Sequence, residues 1–197
     1  TWMLAVVAQW TGKEQVHANC VVPILVSSEQ GHLKSTFCKG LLHPCLHRYY
    51  TEKFSLTSQG DAERKLAEMA LINLAEFDRY SLVQMPQLKN LMQLSTLNLR
   101  KPHQKSYRLL PRIASFIGTS NRMDLLTDPS GSRRYICIEV KQAINLEGIE
   151  HSQIYAQLKA ELMADRRYFF NKEEQQQIQQ HNLSFYRQTL AEEVLRD

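Results

Sequence analysis

The sequence predicts a layered α/β fold, with a parallel sheet flanked by helices and followed by a helical tail. Short apolar runs recur at Val21 to Val26 (VVPILV), Leu71 to Leu74 (LINL), Ile113 to Ile117 (IASFI) and Tyr135 to Val140 (YICIEV). Their length and β-branched content read as buried strands. Segments with helical spacing or helix-forming composition separate them, and strands alternating with helices point to a parallel sheet. The 197-residue length suits one α/β domain with a small appendage.

The elements follow in order. Thr1 to Trp10 is apolar and reads as part of an amphipathic helix. It has neither a basic leader nor a small-residue cleavage site, so a signal peptide is not expected. The chain lacks an initiator Met, and a fragment of a longer protein is expected. After the first strand, Ser28 to Lys34 is a polar loop. Ser35 to about Tyr50 has helical spacing, with Phe37, Leu41 and Leu42 on one side and Pro44 as a bend or stop. Phe54 to Thr57 is a weak strand candidate, Asp61 to Ala70 a helix, and Gln87 to Thr96 another. Lys101 to Pro111 is basic and proline-bounded, so it reads as a loop or hairpin. Asp128 to Ser132 (DPSGS) is a turn. Helices are expected at Ile154 to Met163, Gln175 to Gln180 and Phe185 to Leu195. Residues 1–141 are read as the core and 142–197 as the helical segment.

Composition excludes some classes. Hydrophobic residues at 43% and charged residues at 22% are ordinary for a soluble domain, and no apolar run approaches a membrane span. Four cysteines without a CxxC pair argue for free thiols in a reducing cytoplasm. His43, Cys45 and His47 raise the idea of a metal, but their spacing fits no common zinc site and Pro44 interrupts it. The net charge of +4 is unevenly spread. From Arg79 to Met123 there is no Asp or Glu, while Lys89, Arg100, Lys101, Lys105, Arg108, Arg112 and Arg122 fall in that stretch. A run of one sign attracts polyanions; the competing reading is a solvated face balanced by acids elsewhere.

Four motifs carry chemistry. Ser28 to Ser35 (SEQGHLKS) stands where a phosphate-binding loop, GxxxxGK[ST], would stand between strand and helix. In such a loop backbone N–H groups surround phosphate oxygens, a lysine neutralises charge and a hydroxyl ligates Mg²⁺. Gly31, His32, Leu33, Lys34, Ser35 and Thr36 are the candidate nucleotide contacts. Ser28 and Leu33 replace the outer glycines, and a side chain at 33 threatens the close backbone approach. The competing reading is an ordinary strand–turn–helix with an exposed lysine. LINLAEFD, Leu71 to Asp78, reads as an apolar strand ending in acids. Glu76 would be the base, Ala75 stands where a magnesium-binding acid is expected, and Asp78 is the substitute metal ligand beside Ser35. The competing reading is a buried strand ending in solvated acids.

Asn121, just past the FIG strand end, would contact the γ-phosphate and the attacking water. Arg133 and Arg134, after the DPSGS turn, would stabilise the transferred phosphoryl group, often from a neighbouring subunit; the competing reading is surface solvation. The order of these motifs, and spacings of roughly 40, 45 and 12 residues, are those of a ring-forming P-loop ATPase core.

The run Arg112 to Tyr135, RIASFIGTSNRMDLLTDPSGSRRY, resembles the signature of virulence-associated protein E (VapE/VirE-type) proteins. KSTF at Lys34, LINLAEFD at Leu71, LRKPH at Leu99, YAQLKAEL at Tyr155 and RYFF at Arg167 extend the resemblance over nearly the whole chain. The family belongs to the P-loop NTPases and is similar to superfamily 3 helicases, often encoded by phages, plasmids and genomic islands beside replication or primase functions. The resemblance implies an AAA+/RecA-like core. It implies Lys34 and Ser35 as phosphate and Mg²⁺ contacts, Glu76 as catalytic acid, Asn121 as sensor, and Arg133 or Arg134 as finger or sensor. Leu33 and Ala75 depart from the family pattern and put hydrolysis in doubt more than fold.

The expectation is an ATP- and Mg²⁺-dependent core of a mobile-element or phage DNA helicase or replication initiator. Single-stranded or forked DNA is the expected partner and a homo-oligomeric ring the expected assembly. Arg100, Lys101, Lys105 and Arg108 are placed on DNA phosphates, with Tyr107 available for stacking. The alternative is a non-hydrolysing nucleotide-binding scaffold. A nucleotide kinase or transferase is less favoured, since no arginine-rich lid is seen.

Overall fold

A computed structural model describes residues 1–12, 17–57, 59–100, 106–127 and 129–187. The described residues include seven strands: β1 (Val22–Val26), β2 (Tyr50–Thr51), β3 (Leu71–Leu74), β4 (Thr96–Arg100), β5 (Tyr107–Pro111), β6 (Ser115–Ser120) and β7 (Tyr135–Glu139). Five form a parallel sheet in the order β2-β3-β6-β1-β7, and β4 and β5 form a separate antiparallel hairpin. The strand that ends in the lysine loop is thus interior, between β6 and the edge strand β7.

Alternate side chains of the strands enter two hydrophobic layers. On one face Ile24, Ile72, Leu74 and Phe116 pack under Leu66 of α3 (Gln59–Glu68) and Leu88 and Met92 of α4 (Gln84–Gln93). On the other, Leu25, Leu71 and Ile117 meet Cys38 of α2 (Lys34–Gly40). This two-sided burial explains why the strands read as continuous apolar runs.

Helix α1 (Trp2–Thr11) crosses the N-terminal edge of the sheet. Trp2 Nε1 donates to Val21 O at 3.0 Å and Trp10 Nε1 to Ala70 O at 3.2 Å, the residues just before β1 and β3. α5 (His151–Met163) packs Leu162 on α1 and holds the end of α2. His151 Nε2 contacts Gly40 O at 2.7 Å, and Tyr155 Oη donates to Leu41 O at 2.9 Å. α6 (Lys172–His181) starts in a capping box between Asn171 and Glu174. After it, the fully buried Asn182 covers the open edge of β7: its amide donates to Ser132 O (3.0 Å) and Tyr135 O (2.7 Å) and accepts from Cys137 N (3.3 Å).

Several expected boundaries move. The helix expected from Ser35 to Tyr50 ends at Gly40, and Pro44–Tyr49 forms a 3-10 turn; proline cannot donate the hydrogen bond a continuing helix needs. Phe54 to Thr57 is not a strand: Phe54 and Leu56 are buried anchors of a loop, and the edge strand is the short β2 before it. α4 ends at Gln93, so Thr96 opens a strand instead of closing a helix. The third parallel strand runs Ser115–Ser120, starting two residues and ending three residues later than expected, and the DPSGS turn continues as a 3-10 turn through Arg134. Phe185 ends a 3-10 turn, Asn182–Phe185, and residues 188–197 lie outside the described ones. No helix among the described residues is long and apolar enough to cross a membrane.

Candidate nucleotide site

The C-terminal edge of the sheet gathers three of the four motifs. Residues 27–33 fold back over the start of α2. Gly31 takes φ of 87°, and Leu33 takes φ of 58°, the left-handed region where a side chain is strained. The loop therefore keeps the backbone that glycine would supply before the lysine, at a strain on the order of 1 kcal/mol. Leu33 itself points outward and is exposed.

His32 pins the loop to the sheet. Its Nδ1 lies 2.8 Å from Ser27 Oγ and 3.1 Å from Val140 O, just beyond β7. Its Nε2 lies 3.2 Å from the Glu29 carboxylate.

Lys34 is buried, contrary to the exposed-lysine alternative. Its ammonium donates to Ser27 O at 3.1 Å, to Glu29 O at 3.4 Å and to Asn121 Oδ1 at 3.0 Å. Burial pulls its pKa below the ordinary lysine range. The Asn121 contact joins two motifs 87 residues apart. It arises because β6 pairs beside β1 with Val26 opposite Ser120, which sets Asn121 at the loop. Ser35 and Thr36 are exposed in the first turn of α2.

The acidic motif is divided. Glu76 is exposed, adopts φ of 52°, and pairs with Arg79 at 2.7 Å. Asp78 accepts from Ser120 Oγ at 2.7 Å. Ser120 has the same strand parity as Phe116, so Asp78 is tied to the sheet face away from α2.

Beside α2 lies a polar cluster that sequence reasoning missed. Asn73, fully buried in β3, donates from Nδ2 to Tyr50 Oη at 3.0 Å and to Glu52 Oε1 at 3.3 Å. Tyr50 Oη donates to Glu52 Oε1 at 2.7 Å and lies 3.5 Å from Ser35 O. Asn73 Oδ1 is buried without a hydrogen-bond partner, a defect of about 1–3 kcal/mol in a native core. The signal available in the sequence was a polar residue inside LINL.

Arg133 and Arg134 are not brought to this edge. They precede β7, which runs parallel to β1 with Tyr135 opposite Val22. A five-residue strand therefore separates them from the lysine loop, about 16 Å within one chain. They line a cavity with His17, Tyr168, Phe169 and Lys172. Arg134 Nε is buried without a partner.

The basic stretch is also reduced. Arg112 is almost fully buried: it donates to Ala114 O (2.9 Å), Asn19 O (2.9 Å), Leu94 O (3.3 Å) and Met92 O, and so caps the end of α4. Burial pushes its pKa down to about 10. Arg122 is paired with Asp124 at 2.8 Å. The described cations of the DNA expectation belong to the hairpin. Arg100 ends β4 opposite Tyr107, and Arg108 is exposed on β5; Lys101 and Lys105 lie outside the described residues.

Comparison with known structures agrees on the fold. The apo structure of the NrS-1 C-terminal region matches with a TM-score of 0.53 at 17% identity, over 94% of this chain and 40% of that one. A second form of the same region, the A form apo structure, matches with a TM-score of 0.50 at 18% identity, over 93% of this chain and 38% of that one. The chain thus spans about two fifths of the length of the solved chains it matches. A search of curated proteins found no match. The virulence-associated protein E-like domain model matches residues 1–187, and the chain belongs to that family.

Proposed function

We propose that this domain binds ATP at the loop of residues 27–36 and serves as the ATPase core of a DNA-acting motor or replication initiator of a phage or mobile element. The observation that carries the reading is the buried Lys34 ammonium held jointly by loop carbonyls and Asn121. A desolvated cation facing only neutral oxygens is poised to exchange them for phosphate, to which it binds more strongly. In this reading Asn121, in contact with Lys34, would orient a water at the γ-phosphate, and Glu76, once released from Arg79, would take its proton. Mg²⁺, when bound, would neutralise the β/γ charge, with the Ser35 hydroxyl among its ligands. Arg133 and Arg134, a strand's length from the loop, would act on the site of a neighbouring subunit in a ring. The hairpin would carry DNA, with Arg100, Lys101, Lys105 and Arg108 on phosphates and the exposed Tyr107 stacking on a base.

Calorimetry of Mg·ATP binding, with Lys34→Ala as control, tests the site. Binding that is equal in both proteins, or absent from both, would sink the reading. For the hairpin, Lys101, Lys105 and Arg108 are replaced by Ala and single-stranded DNA is titrated at two salt concentrations. An unchanged affinity and salt slope would remove DNA from the proposal.

One observation favours a non-hydrolysing module: the Glu76 carboxylate is engaged by Arg79 and turned outward. Turnover no faster than that of Glu76→Gln would select that reading.

A further inference from the structure

We infer that Glu52, oriented by Tyr50 and Asn73, is the carboxylate that receives the magnesium ion of the bound nucleotide, replacing the acid absent at Ala75. The inference rests on the nucleotide-binding reading and assigns its metal.

The fold brings Glu52 there. β2 pairs in parallel with β3, Thr51 lying opposite Ile72, so Glu52, just past the end of β2, comes level with Asn73 of β3. Asn73 shares the strand parity of Leu71, whose side chain packs toward α2, the helix that carries Ser35. Glu52 is close enough to α2 that its charge contributes, after burial, to pushing the Cys38 thiol up to about 12. Tyr50 Oη spans the remaining gap, on Glu52 Oε1 at one end and near Ser35 O at the other.

The chemistry is suitable. Magnesium takes one or two protein carboxylates together with phosphate oxygens and water, not an all-protein cage. The absence of a group of three His, Cys, Asp or Glu among the described residues is therefore no obstacle. Both donors on Glu52 fall on Oε1, and Oε2 has no partner among the described residues. The buried Asn73 Oδ1, also without a partner, is a second oxygen in the same cluster, suited to accept from a metal-bound water. Asp78 is the rival acid, but its carboxylate is bound to Ser120 on the other face of the sheet.

The test is ATP titration by calorimetry in EDTA and in Mg²⁺, for the unmodified protein, Glu52→Gln and Asp78→Asn. The expected result is that Mg²⁺ tightens ATP binding by about tenfold or more in the unmodified protein and in Asp78→Asn. Glu52→Gln should bind ATP normally in EDTA and gain nothing from Mg²⁺. ATP binding in EDTA doubles as the folding control; if Glu52→Gln fails it, Tyr50→Phe carries the same test with a partial loss expected. The inference is overturned if Glu52→Gln keeps the Mg²⁺ effect, or if Asp78→Asn alone loses it, while the ATP site stands. No Mg²⁺ effect in the unmodified protein overturns it too. If the unmodified protein binds no ATP in either condition, the nucleotide reading falls with it.

Discussion

The Lys34 ammonium donates to the Asn121 amide oxygen at 3.0 Å, so the loop after β1 and the tip of β6 share one cation. The two residues should separate in function. Lys34→Ala should weaken ATP binding by at least about tenfold, or 1.4 kcal/mol, because the charge that meets phosphate is gone. Asn121→Ala should leave binding within a few-fold and slow turnover by about 10²-fold. Equal losses of binding in both variants would show that Asn121 only holds the lysine.

Leu33 carries a left-handed backbone that glycine adopts without strain. Leu33→Gly should raise stability by up to about 0.5 kcal/mol, the relieved strain slightly exceeding the added freedom of the unfolded chain. It should also admit phosphate closer to the loop. Urea unfolding and ATP titration check both; a loss of stability would mean that Leu33 packs in a way its exposure does not show.

Arg112 holds the end of α4, the base of β6 and the segment before β1 together. Arg112→Met should destabilise the domain by about 3 kcal/mol, since several buried carbonyls lose their only cationic donor. A change near zero in urea melts would make the guanidinium dispensable. DNA affinity should be unaffected beyond this, because the group does not reach the surface.

Asn182→Ala should cost about 2–3 kcal/mol by stranding the peptide groups of Ser132, Tyr135 and Cys137. The turn bearing Arg133 and Arg134 should loosen, seen as faster amide exchange over 132–137. Unchanged exchange there would separate Asn182 from the arginine turn.

Cys38 and Cys137 are fully buried, and burial pushes both thiols up to about 12. Cys45 is exposed. A limiting thiol reagent at neutral pH should label Cys45 first and leave Cys38 and Cys137 unmodified until the protein unfolds. Peptide mapping reads this directly.

Much of the sheet was legible because its strands are buried on both faces and leave unbroken apolar runs, as in VVPILV and LINL. The two-residue β2 is too short to leave such a run, while the alternation of Phe54 and Leu56 imitates one from within a loop. Lys34 and Asn121 could be read because each stands at a fixed offset from a strand end. Glu52 and Asn182 could not: Asn73 lies 21 residues from Glu52 and Cys137 lies 45 from Asn182, and only the pairing of β2 with β3, or the docking of the chain beyond α6, brings them together. Arg112 was misread for the opposite reason. In sequence it belongs to a run of surface cations, and only packing shows it turned inward.

The contact of Asn182 with β7 also constrains assembly. An uncovered outer strand offers its peptide groups to any copy able to continue the sheet, the route by which domains fuse edge to edge. Here the amide of Asn182 and the imidazole of His181, which lies 2.7 Å from Cys137 O, already occupy those groups. A strand arriving on that side meets side chains where the backbone of Tyr135 to Cys137 would otherwise be open, so the sheet is blocked from continuing through that stretch.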